Sequence, residues 1–313
     1  MVAMRKALEI SARIHWRQNL LLTITVVSGL WVGFLPAANA QATSDSNSLP
    51  RVASINLCAD QMLLALAEPG QILSLTNLSH QPEASFYIER ALSYPVNTGT
   101  VEEILTLHPD IVLAGQFTNS YTLQLLKALG IRVETIKIAN SMQSVLANLD
   151  NVSAWVQQEA RGKQITDTMK QGLAALPKPQ HPRPRAAIYD PRGYTVGRDS
   201  LRGEMLELAG WHNVASEKGI ESYGTLALET VLKLDPDILV ESPYSAGTWS
   251  RAQAQNSHPA LLKRGLRATV ITIPSAQTIC GGPWSLGVVE RLLEARQVLE
   301  SAATKPHENK SKE

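Results

Sequence analysis

A chain of 313 residues with a formal net charge of +1 has no charge field that would draw it to nucleic acid. With 44% hydrophobic and 18% charged residues it belongs with globular rather than disordered proteins. Its two cysteines, Cys58 and Cys280, are too few for a disulfide-built scaffold, so packed cores must hold the fold.

The first forty residues stand apart. Arg5, Lys6, Arg13 and Arg17 make a basic start, and Leu20–Leu35 then runs without a charge. Ala38-Asn39-Ala40 follows as a small-x-small site. The pattern predicts a secretory signal peptide over 1–40, cleaved before Gln41. The apolar run is shorter than the ~20 residues that a membrane span needs. Export from the cytoplasm is therefore expected.

Residues 41–50 read as a flexible polar leader. "RVASINL", 51–57, predicts a buried strand, and "ADQMLLALAEPG" a helix that Asp60 is placed to cap. "QILSLTN" predicts another strand. Thr100 and Glu103 have capping-box spacing at the head of the next helix. "DIVLAG" predicts a strand, "SYTLQLLKALG" a helix closed by Gly130, and "IRVETIKI" a strand. Such alternation implies βαβ units and a mainly parallel sheet. Residues 141–176 then read as one long helical stretch, broken by the prolines of "PKPQHPRPR" at 177–185. The first pattern restarts with strand "RAAIYD" and the capped helix "DSLRGEMLELAG". Helix "ALETVLKL", strand "DILVES", a helix and strand in "LLKRGLRATVITIP", and a final amphipathic helix at 285–301 follow.

One segment occurs twice. "VEEILTLHPDIVLAG", Val101–Gly115, is echoed by "LETVLKLDPDILVES", Leu228–Ser242. Glu102, Leu105, Leu107, Pro109 and Asp110 match Glu229, Leu232, Leu234, Pro236 and Asp237. The Pro-Asp pairs read as the turn from helix to strand. The fold class implied is α/β: two similar lobes with mainly parallel sheets joined by one long helix. The expected organisation is an N-terminal lobe at 51–140, a connecting helix and linker at 141–182, a C-terminal lobe at 183–302, and a disordered tail at 303–313.

No nucleophile motif, P-loop or dinucleotide fingerprint is present, and the seven histidines lack helix-face ligand spacing. No enzyme and no intrinsic cofactor is therefore expected. Ligands of open α/β sheets sit beyond the carboxyl ends of the strands. Asn56, Cys58, Tyr194, Tyr223, Trp249, Cys280 and Trp284 all fall there, and aromatic rings among glycines and prolines make stacking surfaces. They are the candidate ligand-binding residues. Cys58 and Cys280 admit three readings: buried thiols, a structural disulfide between the lobes, or thiolates contacting a metal.

The layout resembles the periplasmic substrate-binding proteins of ABC importers for iron–siderophore, haem and cobalamin. "RVASINLCADQMLLAL", the repeated helix-Pro-Asp-strand unit, the connecting helix and "YTVGRDSLRGEMLELAG" carry the resemblance over nearly all of 51–300. It implies a monomer that captures a small-molecule metal chelate between its lobes and delivers it to a dimeric permease in the inner membrane. It assigns permease docking to Glu102 and Glu229, and cleft-lining roles to Tyr194 and Tyr223. The chain departs from the cobalamin binders in "VNTGT", 96–100, which lacks their stacking tryptophan. A different chelate is thus an open alternative. A second class also stays open: a secreted two-lobe metal-handling protein or enzyme that uses Cys58 and Cys280.

Overall fold

The computed structural model describes residues 48–244 and 269–304. The expected signal peptide and most of the leader lie outside the described residues, as does the tail beyond Thr304.

The N-terminal lobe is built on five parallel strands in the order β3-β2-β1-β4-β5. They are β1 Val52–Ser54, β2 Ile72–Thr76, β3 Val96–Asn97, β4 Ile111–Gly115 and β5 Arg132–Ile136. Helices α1 Leu57–Leu66, α2 Ile88–Ala91, α3 Val101–Thr106 and α4 Ser120–Ala128 connect them. Among the C-terminal strands, β6 Arg185–Ile188, β8 His212–Asn213, β10 Ile238–Glu241 and β11 Thr269–Thr272 form a second parallel sheet, ordered β11-β10-β6-β8. An antiparallel ribbon pairs β7 Tyr194–Val196 with β9 Tyr223–Thr225. Two matching runs, β2-β1-β4-β5 and β8-β6-β10-β11, underlie the sequence echo.

The connecting stretch is two helices, α5 Met142–Trp155 and α6 Glu159–Ala175, where the sequence predicts one. Gln157 sits at φ 57° in the break. Buried Gln71 fills the gap: its amide donates to the Val156 carbonyl at 2.8 Å, and Gln158 Nε2 donates to Gln71 Oε1 at 3.0 Å. A backbone carbonyl freed by the break is thereby satisfied. In the second lobe α7 Leu201–Leu208 and α8 Leu228–Leu234 are followed by α9 Ser285–Thr304. The last turn of α9 takes in the first two residues of the expected disordered tail.

The Pro-Asp turns are structural in both lobes. Asp110 Oδ2 accepts from the Arg51 amide at 2.7 Å, and Asp237 Oδ2 from the Arg185 amide at 2.8 Å. Asp110 N and Asp237 N return the bond to the carbonyls of Arg51 and Arg185. Each arginine also donates to a carbonyl at the end of the preceding helix: Arg51 to His108 and Arg185 to Leu234. His108 and Asp235, each before a proline, are left-handed at φ 48° and 42°. That conformation costs about 1–3 kcal/mol in a non-glycine residue, and the arginine–aspartate clip holds it in place.

One expected cap is corrected. β1 stops at Ser54, and Asn56 Oδ1 caps α1 by accepting from Cys58 N at 3.0 Å and Ala59 N at 3.2 Å. Asp60 lies inside the helix, fully buried, with Oδ2 accepting from Thr76 N at 3.1 Å and from its hydroxyl at 2.5 Å. Oδ1 has no hydrogen-bond partner. At α3 the capping box is half formed. Thr100 caps Glu103 N, while the Glu103 carboxylate reaches back to Thr98 N and its hydroxyl.

Burial raises the Asp60 carboxyl from 3.8 to about 7, against the hydrogen bonds from Thr76. Unfolding then releases a proton in that window, so stability should fall as pH rises from about 4 to about 7, and then level off. Asp60→Asn should flatten this slope and raise the thermal midpoint at pH 8 relative to the parent. Melting curves across pH by circular dichroism check it, and parallel slopes in the two proteins would exclude Asp60 as the cause.

Candidate functional site

The two sheets present their carboxyl edges to a shared cleft of about 480 Å³, within the ~300–1,000 Å³ of small-molecule sites. Asn56, Cys58, Tyr194, Tyr223 and Cys280, all candidates from the sequence, line it. Asn56 spends its carbonyl on the α1 cap, so its role at the cleft is chiefly to shape the wall. Tyr194 and Tyr223 stand side by side because β7 and β9 pair Val196 with Tyr223 and Tyr194 with Thr225. Their rings stack with centroids 6.3 Å apart and planes at 22°. Partial burial, with Tyr223 beside it, pushes the Tyr194 phenol up, which keeps the hydroxyl a donor at neutral pH.

Two candidates behave differently. Trp249 lies outside the described residues. Trp284 does not line the cleft. It is buried against Leu57, Ala84 and Cys280, stacks on Phe86 at 4.8 Å, and meets the Tyr87 ring edge-on at 5.6 Å. Its indole donates to the Gln277 carbonyl at 3.2 Å, so its polar edge is already satisfied. Trp284 thus joins the lobes instead of meeting a ligand.

Cys58 and Cys280 are bonded to each other, bridging 222 residues of sequence with Cα atoms 5.4 Å apart. This corrects the reading of them as metal ligands, because a disulfide sulfur has no thiolate charge to offer a cation. Among the described residues no group of three His, Cys, Asp or Glu side chains is placed to hold a metal ion. A metal-handling activity based on these two thiols loses its ligands. The spacing of "CGGPW" follows from the crowding around the bridge. A Cβ on Gly281 would fall 2.6 Å from Val145 Cγ2 and 2.7 Å from Leu201 Cδ2, and one on Gly282 would fall 2.3 Å from the Trp284 ring.

The cleft also contains residues that the sequence reading passed over. Phe117, 81% exposed, stands two residues beyond β4, and Tyr244, 46% exposed, three residues beyond β10. They are related by the same offset as Glu102 and Glu229, so carrying the echo two residues further finds both. The Tyr244 hydroxyl donates to Gln81 Oε1 of the other lobe at 2.8 Å. In the cleft wall Arg202 makes a two-pronged pair with Asp190, with both side chains at most 15% exposed. Asp190 Oδ1 also accepts from Ser242 N at 2.8 Å. No sequence spacing signals that pair, because the loop after β6 and helix α7 supply its two halves. The site offers rings and a self-neutralised ion pair, which suits contact with an apolar or aromatic face.

Glu102 and Glu229 lie away from the cleft lining, exposed in the first turns of α3 and α8. Glu102 is not needed as a cap, since Thr100 and Glu103 tie down that helix start. Glu229 makes no cap bond either.

Two parallel α/β lobes facing each other across an aromatic cleft define a two-lobed solute-binding protein. Residues 52–261 match the periplasmic binding protein family, and the chain belongs to it. A cobalamin-binding protein of Halobacterium salinarum is 29% identical over 210 residues, covering 65% of this chain and 56% of the relative. An uncharacterised ABC transporter substrate-binding lipoprotein of Bacillus subtilis is 24% identical over 61% of this chain and 62% of its own length. The chain thus spans just over half the length of the curated relatives it matches first. Among solved structures, the periplasmic haem-binding protein of Vibrio cholerae superposes with TM-score 0.64 at 22% identity, covering 79% of this chain and 99% of that one. The periplasmic vitamin B12-binding protein of the same organism gives 0.59 at 18%, covering 80% and 98%. At these identities the structural likeness speaks for the fold.

The bridge should be complete in the purified protein. Intact mass should be two hydrogens below the fully reduced value, and thiol reagents should label neither cysteine before reduction. By chain-entropy arithmetic, closing a loop of 222 residues stabilises by about 5 kcal/mol, so Cys58→Ser with Cys280→Ser should lower stability by up to that amount in denaturant titration.

Proposed function

We propose that this chain is the substrate-binding component of an ABC importer, exported after cleavage before Gln41. It captures a metal chelate between its lobes and delivers it unchanged to a membrane permease. The observation that carries this reading is the aromatic cleft at the facing carboxyl edges of the two sheets, in a member of the periplasmic binding protein family. A corrin, a haem or an aromatic iron–siderophore presents the broad flat faces that such rings hold best. The relatives named for cobalamin and haem are consistent with that class. Release of chemically unchanged ligand separates this role from an enzymatic one.

Delivery requires a second surface. We assign it to Glu102 and Glu229, exposed at matching places in the two lobes. A two-fold permease presents one patch twice, and a monomer meets it by presenting two similar patches of its own. A helix N-terminus alone favours an acidic group by ~0.3–1 kcal/mol, which accounts for a glutamate anywhere in the first turn. It accounts less well for the same turn position in both lobes.

Titrating the purified chain with cyanocobalamin, haemin and a ferric siderophore, read by absorption and tryptophan emission, tests the first half. One of the three should bind. Tyr194→Ala and Tyr223→Ala should each weaken that binding by an amount on the order of 1–3 kcal/mol, as for buried anchors elsewhere. Unchanged affinity in the double variant would remove the tyrosines from the site. For the second half, Glu102→Ala with Glu229→Ala should keep the fold and ligand affinity. It should cut both uptake and salt-sensitive binding to the permease. Normal uptake by that double variant would rule the docking role out.

A further inference from the structure

Cys58 opens α1 in the first lobe, and Cys280 precedes α9 in the second, so their bond ties lobe to lobe. Both residues also line the ligand cleft. The segments around the bridge, 81–87 and 275–284, meet across the lobes, with Ala84 and Trp284 buried beside the bridge. Ser275 Oγ donates to the Glu83 carbonyl at 2.5 Å, Tyr244 reaches Gln81, and Trp284 stacks on Phe86. On the far side, Gly281 is pressed against Val145 of α5 and Leu201 of α7 with no spare room.

We propose that the Cys58–Cys280 disulfide is a redox clasp: oxidised, it fixes the lobe spacing at which the cleft captures its ligand, and reduced, it lets the cleft open and release it. The proposal rests on reading the cleft as the ligand site. Two thiol sulfurs cannot remain at bonding distance. They must separate to non-bonded contact, and the packing behind Gly281 blocks the second lobe from yielding inward. The separation therefore falls on the contacts between 81–87 and 275–284, which join one lobe to the other. A dithiol reductant supplies the electrons. One of its thiolates attacks a sulfur of the bridge and forms a mixed disulfide, and the other protein sulfur leaves as thiolate and takes a proton. The second thiol of the reductant then displaces the remaining protein sulfur, which is protonated in turn. The reductant departs as a cyclic disulfide, two electrons and two protons having passed to Cys58 and Cys280. Cys58 is half-buried at the cleft wall, so the attack comes from the cleft, and a bound ligand covers it. Ligand and oxidised bridge then favour one another, as linkage requires.

The clasp differs from a plain stabilising bridge in where its loss is felt. Hydrogen exchange by mass spectrometry on the full chain, oxidised and after dithiothreitol, reads this directly. At short exchange times, before global unfolding contributes, exchange should quicken by about tenfold or more in 81–87 and 275–284 and at the cleft lip 116–118, and by more than in β1, β4, β6 and β10. Unchanged exchange would overturn the clasp, and so would uniform loss of protection across both sheets, which marks a bond needed only for folding. With cyanocobalamin as probe, reduction should weaken binding by about tenfold or more, mainly through faster release. The Cys58→Ser, Cys280→Ser double variant should bind like the reduced chain and ignore dithiothreitol. Equal affinity of the oxidised and reduced chains would overturn the release step. Failure of the oxidised chain to bind cyanocobalamin would count against the ligand class alone, and the exchange comparison would then decide the clasp.

Discussion

Two sheets that share no strand have to be held at one spacing, and a single buried core does it. Val52, Ile111 and Leu113 of the first sheet lie in the same apolar cluster as Ile188 and Val240 of the second. Leu149 and Val152 of α5 and Met169 of α6 join them, as does Trp211, whose indole donates to the Leu292 carbonyl at 2.9 Å. Close-packed interiors resist small changes of shape, so a core that runs through both lobes sets the cleft width from behind. At the cleft itself the spacing is set again by the disulfide and the Trp284 stack.

The arginine–aspartate clip solves a local problem in both lobes. A helix that runs back along a parallel sheet must reverse within a few residues and enter the next strand in register. Proline cuts the helix, and the residue before it stands left-handed. Aspartate then receives the amide of the strand next door. The same clip aligns Val52 with Ile111 and Ala186 with Ile238. Arg51 and Arg185 stand one residue ahead of those pairs and belong to the repeat, although 134 rather than 127 positions separate them in sequence. The shift in offset hid them from a search for identical spacing.

Most of the architecture was legible because hydrophobic runs, Pro-Asp turns and glycine stops are local signals. Strands β2, β4, β5, β6 and β10 and helices α4, α7 and α8 fall where those signals put them. Errors arose where a tertiary partner decides. Asn56 displaced Asp60 as the α1 cap because Thr76 claims the aspartate from β2. The break between α5 and α6 depends on Gln71, some 85 residues upstream of the carbonyl it satisfies. Trp284 reads as a ligand residue from its place after a strand, yet Phe86 and Tyr87 of the other lobe bury it. Tyr194 and Tyr223 were legible as aromatics at strand ends, whereas the Asp190–Arg202 pair needed the folded wall to bring it together.

Connectivity explains why one repeated unit can serve both the cleft and the proposed docking surface. In a parallel sheet the connecting helix runs antiparallel to the strand it feeds. The head of α3 therefore lies at the edge of the sheet where β4 ends. The Arg51 bond to the His108 carbonyl confirms that the opposite end of α3 meets the start of β1. Glu102 at the head of the helix and Phe117 just past the strand share the carboxyl edge, although 15 residues of chain separate them. Glu229 and Tyr244 repeat the arrangement around α8 and β10, where Arg185 marks the far edge through the Leu234 carbonyl. Each unit thus brings one ring to the cleft and one carboxylate to the rim beside it. Doubling the unit produces two rings across the cleft and two carboxylates flanking its mouth. On the proposed docking role, a partner that engages both glutamates is seated over the opening of the cleft.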